Sequence, residues 1–216
     1  MAEPAGLLIL GGGGHGRVVA EMAADLGISD LAWLDDNPAA ADVLGPLARC
    51  AEPELRHRYG QALVAIGRAP LRLQWLAQLQ QLGFACPVLV HPTAWVSPSA
   101  QLEAGTVVMP QAVVMAGARL GQGCIVNTSA SVDHDCDLAD GVHVCPGAHL
   151  AGGVSVGRGS WIGIGASVIQ GRRIGSAVTV GAGAAVVHDL ADGVTAAGVP
   201  ARVLTTTLLP QRQSEP

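Results

Sequence analysis

Two short segments of this chain combine residue types that can carry out chemistry on a small molecule. The first, Gly11–Gly16, reads GGGGHG and satisfies the pattern G-x-G-x-x-G. Glycines of this kind let the backbone approach a phosphate, and a helix that begins there favours an anion at its N-terminus. The second, Asp133–Asp135, is a histidine between two carboxylates. A histidine beside a carboxylate is held in one tautomer and becomes more basic, which suits a general base near neutral pH.

The residues around the glycine-rich segment favour nucleotide binding. An apolar run typical of a buried strand, Leu7–Leu10, comes before it, and a segment with helical spacing, Arg17–Leu26, follows. Asp35 and Asp36 lie about 20 residues farther on, where a carboxylate binds a ribose or a base. A tight turn without a ligand is one alternative. An NAD site is another, but it is disfavoured because the second mononucleotide-binding half is missing.

The histidine segment leaves two other interpretations open. Adjacent residues on an extended strand point to opposite faces, so Asp135 orients His134 only if the chain turns there or if the contact crosses to another subunit. A structural histidine is the first alternative. The second is a metal site formed by His134, His143 and His149, as in the γ-class carbonic anhydrases, although their spacing is too wide for local chelation.

A six-residue period predicts the element that carries His134. An aliphatic residue recurs at every sixth position, and the fourth residue after it is usually small. Such a hexapeptide repeat is the signature of a parallel β-helix, in which short strands wind into stacked coils. Sixteen hexads at three per coil predict about five coils. The aliphatic residues are Val96, Leu102, Val108, Val114, Leu120, Val126, Val132, Leu138, Val144, Leu150, Val156, Ile162, Val168, Ile174, Val180 and Val186.

The segment before the repeat predicts a different architecture. Further strands are expected at Leu31–Leu34, Ala62–Ile66 and Val88–Val90, with a second helix at Pro70–Leu82. Strands that alternate with helices imply a parallel sheet. Gly67 and Arg68 would then lie at the sheet edge where ligands collect, and Arg68 is either a phosphate contact or a solvated side chain.

The predicted fold is a small α/β, Rossmann-like N-terminal domain followed by a parallel β-helix, a hexapeptide-repeat solenoid. We place the first domain at residues 1–91 and the second at residues 92–204. Residues 205–216 form a C-terminal tail, and the segment after Val199-Pro200 is expected to cap the end of the solenoid and to fray.

The composition excludes several classes of function. The net charge is −5 and every basic residue is arginine, which argues against a general nucleic-acid-binding protein. No apolar run of about 18 residues predicts a membrane span, and the N-terminus does not resemble a signal peptide. Five cysteines without a CxxC pair are expected to be reduced packing residues, which favours a cytoplasmic protein.

Several motifs together resemble the sialic-acid O-acetyltransferase-like, or PglD-type, family of left-handed β-helix acetyltransferases. They are GGGHG in the first segment, then Leu34–Asp36, Asn127–Ser129, Val132–Cys136 and Gly198–Arg202. The resemblance covers about residues 5–204. It implies acetyl-CoA as the co-substrate, no metal, and a homotrimer with each active site between two subunits.

The resemblance also implies roles for individual residues. His134 matches the catalytic base, and Asp135 stands where the family often has glutamate, one methylene longer. The residues expected to bind the nucleotide sugar are Gly13, Gly14 and His15 near the phosphates, Asp35 and Asp36 near the nucleoside, and Gly67 in the wall of the site.

A second group of residues is expected to bind acetyl-CoA. The positions that match the lining of its groove are His143, Gly152, Ile164 and Ala182. A backbone N–H near Gly152-Gly153 would donate to the oxyanion of the reaction. Arg158, Arg172 and Arg173 either meet the CoA phosphates or remain solvated at coil corners.

We therefore expect an acetyl-CoA-dependent N-acetyltransferase that acts on the amine of a nucleotide-linked amino sugar. O-acetylation of a sialic acid or a related sugar hydroxyl is the alternative within transferases, because the sequence separates amine from hydroxyl acceptors poorly. A non-catalytic nucleotide-sugar-binding module on a trimeric scaffold is the third hypothesis.

Overall fold

The structure, a computed structural model, describes residues 6–37, 40 and 42–204. The predicted C-terminal tail, 205–216, therefore lies outside the described residues. The N-terminal region consists of β1 (Leu7–Leu10), α1 (Gly14–Asp25), β2 (Leu31–Leu34), a 3-10 helix (Leu47–Ala51), α2 (Pro53–Tyr59), β3 (Gln61–Val64) and α3 (Ala69–Gln81).

The N-terminal region contains the parallel sheet that the sequence predicts, with strand order β2-β1-β3. Helix α1 begins at Gly14, three residues before the predicted start, because Gly13 takes the extended N-cap conformation and glycines carry no apolar period. The 3-10 helix and α2 are not predicted, since elements of five and seven residues are too short to display a helical period.

The solenoid has three faces, each a ladder of two-residue parallel strands. Face 1 contains Leu89–Val90, Val107–Val108, Ile125–Val126, His143–Val144, Trp161–Ile162, Thr179–Val180 and Thr195–Ala197, and ends in the antiparallel Arg202–Val203. Face 2 contains Trp95–Val96, Val113–Val114, Ser131–Val132, His149–Leu150, Ser167–Val168 and Ala185–Val186. Face 3 contains Gln101–Leu102, Arg119–Leu120, Asp137–Leu138, Ser155–Val156 and Arg173–Ile174.

The solenoid has one coil more than the sequence predicts. We expected Val88–Val90 to be the last strand of the N-terminal domain, but Leu89–Val90 pairs with Val107–Val108 and opens face 1. Seven parallel strands on face 1 therefore enclose six coils rather than five. Val90 continues the six-residue period upstream, but a two-residue apolar strand looks the same at the end of an α/β sheet.

Three edges join the faces, and we name them by their residues. The Ile164 edge (145–148, 163–166, 181–184) joins face 1 to face 2. The His134 edge (133–136, 151–154, 169–172) joins face 2 to face 3. The glycine edge (103–106, 121–124, 139–142, 157–160) joins face 3 back to face 1.

Each edge turns through a residue with positive φ, three places after the aliphatic residue of the strand. Glycine usually occupies this position because it adopts positive φ without steric cost. Residues other than glycine occupy it at Gln111, Ser129, Asp135 and Ala177. The chain thus turns at Asp135, which is one of the two possibilities that the sequence left open.

Helix α3 lies lengthwise along the glycine edge. A Cβ atom added to Gly105 would be 2.9 Å from Cδ1 of Leu76, and one added to Gly141 would be 2.9 Å from Cδ1 of Leu73. Gly105, Gly123, Gly141 and Gly159 are one coil apart and all contact this helix. A second apolar contact, which includes Ile9 and Ile125, packs the sheet and α1 on face 1.

A buried arginine connects α3 to the solenoid. The side chain of Arg72 is 1% exposed, and its guanidinium donates only to backbone carbonyls. Two acceptors belong to the glycine edge, Gly123 and Gly141, each at 2.8 Å. The other two, Ile66 at 2.8 Å and Gly67 at 2.7 Å, follow β3. Arg72 therefore connects the carboxyl end of the sheet to two successive coils.

The remaining observations concern the thiols and the helices. All five cysteines are free, and Cys124 and Cys136 occupy buried small positions inside the solenoid. Within residues 6–37, 40 and 42–204, no helix has the length and apolar character needed to cross a membrane.

Replacing Arg72 with methionine should destabilise the protein by at least about 3 kcal/mol, because four largely buried carbonyls lose their donor while most of the aliphatic stem is retained. Urea unfolding at a fixed protein concentration measures this loss. The control is Arg56→Met, which removes an exposed arginine that donates to one carbonyl, that of Leu82. Its cost should stay within about 0.5 kcal/mol. Equal costs for the two variants would contradict the assigned role of Arg72.

Candidate active site

His134 and Asp135 form a direct contact on the His134 edge. Nδ1 of His134 lies 2.9 Å from Oδ2 of Asp135, and the two side chains are 61% and 75% exposed. The contact forms within one chain because Asp135 takes the left-handed conformation, with φ of 57°. Nδ1 donates to the carboxylate, so Nε2 carries the lone pair that can take a proton. Nε2 lies against the backbone of Gly152 and has no hydrogen-bond partner among the described residues.

Glycines on the neighbouring coils leave space for this pair. Gly117 lies one coil before Asp135, and a Cβ atom there would be 2.7 Å from Oδ1 of Asp135. Gly152 lies one coil after His134, and a Cβ atom there would overlap the imidazole ring. Asp133 adds a further constraint, since its Oδ1 accepts the backbone N–H of His134 at 2.7 Å.

The two neighbouring carboxylates make His134 more basic. Its pKa is raised above the usual value, chiefly by the hydrogen bond to Asp135 and also by the charges of Asp133 and Asp135. A more basic imidazole with a free Nε2 is suited to remove a proton from a bound acceptor.

The glycine-rich segment connects β1 to α1, as predicted. Gly13 is the N-cap of α1 and Gly14 is its first residue. Cβ atoms added to either would meet no atom of the described residues within 4 Å, so none of those residues fills the space in front of this helix N-terminus. Gly11 and Gly16 are needed for close packing of the backbone, because a Cβ atom on Gly16 would overlap the carbonyl of Gly11.

Asp35 and Asp36, the two predicted nucleoside contacts, differ in how many hydrogen bonds they accept from the backbone of the protein. Asp35 accepts the backbone N–H of Gly12 on one oxygen and that of Asn37 on the other, at 2.8 Å for Asn37. Asp36 accepts one backbone N–H, from Leu47 at 2.9 Å, on Oδ1. Asp35 therefore shapes the loop, and Asp36 is the better candidate for a ligand contact.

A cleft of about 520 Å³ lies between the start of α3 and face 1. Gly67 and Arg68 form its wall on the side of the N-terminal domain. His143, Trp161 and Thr179, one coil apart, form its floor. This cleft brings Gly67, a predicted sugar-nucleotide contact, together with His143, a predicted acetyl-CoA contact.

His143 has one ring nitrogen with a partner and one without. Asn127 accepts the N–H of Thr128 on Oδ1 at 2.8 Å, which turns its amide Nδ2 toward Nε2 of His143 at 3.1 Å. This assignment makes Nε2 the acceptor and leaves the proton on Nδ1. Nδ1 is buried and has no hydrogen-bond partner among the described residues. It is a buried donor whose hydrogen-bonding capacity is unused by the described residues.

Burial, and after it the charge of Arg72, keeps two histidines neutral. The pKa of His15 is lowered to about 4, first by burial and then by the charge of Arg72. The pKa of His143 is lowered to about 3 by burial, Arg72 and His15, in that order. Each would therefore meet a ligand oxygen as an uncharged donor rather than as a cation.

The structure does not bring the predicted acetyl-CoA residues together within one chain. His143 is on face 1, Gly152 is on the His134 edge, and Ile164 and Ala182 are on the Ile164 edge. Ile164 is 56% exposed. The backbone N–H of Gly153 already donates to the carbonyl of His134 at 2.8 Å, so it is not available for an oxyanion.

The histidines of the metal hypothesis are also separated. His134 lies on its edge, His143 on face 1 and His149 on face 2, where its Nδ1 lies 2.8 Å from Oγ of Ser131. One chain cannot direct these three side chains at one ion. Among the described residues no group of three or more His, Cys, Asp or Glu side chains is arranged to hold a metal.

Sequence reasoning missed Arg72 and Trp161. A signal for Arg72 was present, since it falls with Ala69, Leu76 and Leu79 on the buried stripe of α3. A charged residue at such a position requires partners. No sequence pattern marked Trp161 as a site residue, because it occupies an ordinary outward position of the repeat and differs from the residues at that position in other hexads only by its larger side chain.

Comparisons with known proteins agree with the resemblance. A family model described as the PglD N-terminal domain matches residues 6–79. The acetyltransferase domain of PglB from Neisseria gonorrhoeae in complex with acetyl coenzyme A is 45% identical, with a TM-score of 0.89 over 94% of this chain and 100% of that one. The similarity of this structure confirms the predicted fold, including a left-handed β-helix.

Two more solved structures match almost the whole chain. A histidine mutant of perosamine N-acetyltransferase from Caulobacter crescentus, in complex with CoA and GDP-perosamine, is 39% identical, with a TM-score of 0.89 over 93% of this chain and 97% of that one. WeeI from Acinetobacter baumannii is 23% identical, with a TM-score of 0.83 over 92% and 99% of the two chains, and shares the fold.

Acidification should destabilise the protein through His15 and His143. Both have lowered pKa values in the folded state, so their contribution is full above about pH 6.5, the ordinary histidine value, and is lost as pH falls toward 4. Between pH 7.5 and pH 5 the loss should be about 2 kcal/mol for each residue.

Denaturant unfolding of the wild type and of His143→Gln at both pH values measures this effect. His143→Gln should lose stability at pH 7.5 but should show about half of the wild-type pH dependence. An unchanged pH dependence in the variant would contradict a neutral, buried His143.

Proposed function

The chain belongs to the PglD-type family of left-handed β-helix acetyltransferases, and on that basis we propose that it transfers the acetyl group of acetyl-CoA to the amine of a nucleotide-linked amino sugar. One observation carries the proposal. The perosamine N-acetyltransferase from Caulobacter crescentus, which is 39% identical over 93% of this chain, was solved with CoA and GDP-perosamine bound. The open helix N-terminus and the basic histidine supply the two chemical functions that such a reaction needs.

The N-terminal domain, predicted at residues 1–91 but ending before Leu89–Val90 of face 1, would bind the nucleotide sugar. Gly13 and Gly14 lie at the N-terminus of α1, where backbone N–H groups and the helix dipole favour a diphosphate. Asp36 would bind the nucleoside, with Asp35 holding the loop in place. His15 would add an uncharged donor, and Gly67 lines the neighbouring cleft.

The solenoid, predicted at residues 92–204 and beginning with Leu89–Val90, would supply the base. Nε2 of His134 accepts a proton from the acceptor ammonium, and Asp135 stabilises the resulting imidazolium through Nδ1. The free amine attacks the thioester carbonyl carbon and forms a tetrahedral intermediate. His134 passes this first proton to solvent and then takes the second proton from the nitrogen of the intermediate. Collapse of the intermediate breaks the C–S bond, and the CoA thiolate takes the second proton from His134. The products are the amide and CoA, and the base is regenerated.

Backbone and side-chain donors would stabilise the charge that develops on the carbonyl oxygen. We assign the oxyanion contact to the N–H of Gly152, because the N–H of Gly153 is engaged with His134. Nδ1–H of His143 is a buried donor in the cleft and is assigned to an oxygen of acetyl-CoA.

Two chains would be needed to complete one site. The N-terminal domain packs on face 1, and the His134 edge lies opposite that face. Gly152 and Ile164 flank face 2 on different edges, so a single acetyl-CoA contacts both only where the His134 edge of one copy meets the Ile164 edge of the next. A homotrimer with face 2 turned toward the threefold axis brings these edges together.

The outward side chains of face 2 suit such an interface. They include no aspartate, glutamate, lysine or arginine, and one of them is an exposed tryptophan. Face 3, in contrast, presents Arg119, Asp137 and Arg173. Interfaces are depleted in charged residues and enriched in aromatic ones. The outward residues of face 2 are Trp95, Val113, Ser131, His149, Ser167 and Ala185.

Purified protein should acetylate nucleotide-linked amino sugars with acetyl-CoA, detected as a mass increase of the acceptor and release of free thiol. His134→Ala should lower turnover by about 10²–10⁴-fold, the usual effect of losing a general base. Hydroxyl acceptors, including a sialic acid, serve as the comparison. Faster transfer to a hydroxyl, or near-normal turnover in His134→Ala, would overturn the proposal.

Mixed trimers test whether a site uses two chains. His134→Ala removes the base, and Gly14→Asp places a negative charge at the phosphate position, where an added side chain meets no neighbour. Each variant alone should be inactive. Unfolding and refolding the two together should restore about a quarter of the wild-type activity, since that fraction of sites combines an intact His134 with an intact Gly14. A site built within one chain would show no recovery.

A further inference from the structure

Exposed apolar side chains frame face 2 of the solenoid. Trp95 points outward from the face itself, Met115 and Ile169 directly follow two of its strands, and Ile164 lies on the Ile164 edge. All four are large hydrophobic residues that a single chain leaves exposed. Apolar surface of this kind marks a contact with another protein, and two further copies of the chain would cover it in the homotrimer.

One polar side chain projects from the middle of this face. His149 is exposed, and its neighbours in the ladder, one coil before and one coil after, are Ser131 and Ser167. The next outward residues in the two directions are Val113 and Ala185. Because all four neighbours are shorter than histidine, the imidazole of His149 extends farther from the sheet than any of them.

A hydrogen bond to Ser131 fixes the orientation of this imidazole. Nδ1 of His149 lies 2.8 Å from Oγ of Ser131, whereas Nε2 has no hydrogen-bond partner among the described residues. Histidines that bind metals commonly show this arrangement. One ring N–H donates to a neighbouring oxygen, and the other nitrogen presents its lone pair to the ion.

A threefold axis would bring three of these imidazoles together. In a homotrimer with face 2 turned toward the axis, each His149 faces the same side chain of two other copies. Three Nε2 lone pairs cannot donate to one another, and burying them without a partner is unfavourable. A single cation on the axis provides a partner for all three.

The surroundings of His149 favour a transition metal. Imidazole nitrogens suit ions such as Zn²⁺ and Co²⁺, whereas Mg²⁺ and Ca²⁺ prefer oxygen ligands. The outward positions of face 2 contain no lysine or arginine that would repel a cation. Within one chain, the described residues include no group of three His, Cys, Asp or Glu side chains placed to hold a metal. A site with one ligand from each chain needs no such group.

We propose that His149 from three copies of the chain binds one divalent transition-metal ion on the threefold axis, with Nδ1–H of each imidazole donating to Oγ of Ser131. The site rests on the homotrimer of the proposed function. It differs from a site made by His134, His143 and His149 of one chain, whose side chains diverge. The ion lies at the centre of face 2 rather than on the edge that carries the base, so its role is to hold the three chains together.

The EDTA-treated protein should bind about one Co²⁺ for three chains, with the strong visible absorption of a four-coordinate ion. His149→Asn, which keeps a polar atom near the position of Nδ1 but removes Nε2, should bind none. Ser131→Ala should bind Co²⁺ about 10- to 100-fold more weakly, because the oxygen that orients the imidazole is lost. His57→Asn is the matched control, an exposed histidine on α2, and should bind like the wild type.

Zn²⁺ should also stabilise the assembly, because a ligand that binds only the trimer shifts its dissociation by mass action. Sedimentation of diluted protein measures this effect. Added Zn²⁺ should lower the concentration at which the wild type dissociates and should leave His149→Asn unchanged. An equal response of the two proteins would contradict the site.

Acetyl transfer by the same proteins separates this proposal from the proposed function. If one Co²⁺ binds for three chains but no acceptor is acetylated, the proposed function fails and the metal site stands. If acceptors are acetylated but Co²⁺ does not bind, binds once to every chain, or binds equally to His149→Asn, the metal site is wrong and the proposed function stands.

Discussion

The fold depends on a buried guanidinium that has no carboxylate partner within the described part of the chain. Arg72 donates to four backbone carbonyls, two that follow β3 and two on the glycine edge. Burying a charge is costly unless every donor is satisfied, and the carbonyls at strand ends and coil corners supply acceptors that no side chain has to provide. The same contacts fix Gly67 at the cleft. Burial lowers the pKa of His15 and His143, and the charge of Arg72 lowers both further, so one residue contributes to the geometry and to the electrostatics between sheet and solenoid.

The site itself is built from the repeat and needs no inserted loop. Residues 18 positions apart stack on successive coils, so the neighbours of any side chain can be read from the sequence once the register is known. His134 has Gly152 below it, and Asp135 has Gly117 above it. Asp135 also uses the turn position that glycine fills elsewhere, and this is why adjacent residues can touch despite belonging to a strand repeat. Aspartate tolerates that conformation better than most residues, because its short side chain can hydrogen-bond locally.

The solenoid and the general-base candidate could be predicted from the sequence because both depend on local periodicity. The aliphatic residue of every hexad, from Val108 to Val186, is buried as expected. What could not be predicted depends on contacts between distant segments. Leu89–Val90 joins face 1 through a partner 18 residues away, and Arg72 finds acceptors 51 and 69 residues away. The division of Gly152 and Ile164 between two edges also required the register of the coils, which a list of matching positions does not contain.

The contact between α3 and the glycine edge brings together two periodic structures with different repeats. An α-helix rises about 5.4 Å per turn, whereas stacked coils are about 4.8 Å apart. The mismatch grows by about 0.6 Å per coil, so it reaches roughly half a coil after four. Helix α3 has 13 residues and meets four glycines, Gly105 to Gly159, which is close to this limit. The turns of a longer helix would therefore lose register with the coils of the solenoid. Coils added beyond Gly159 would extend the solenoid without adding contacts to the N-terminal domain.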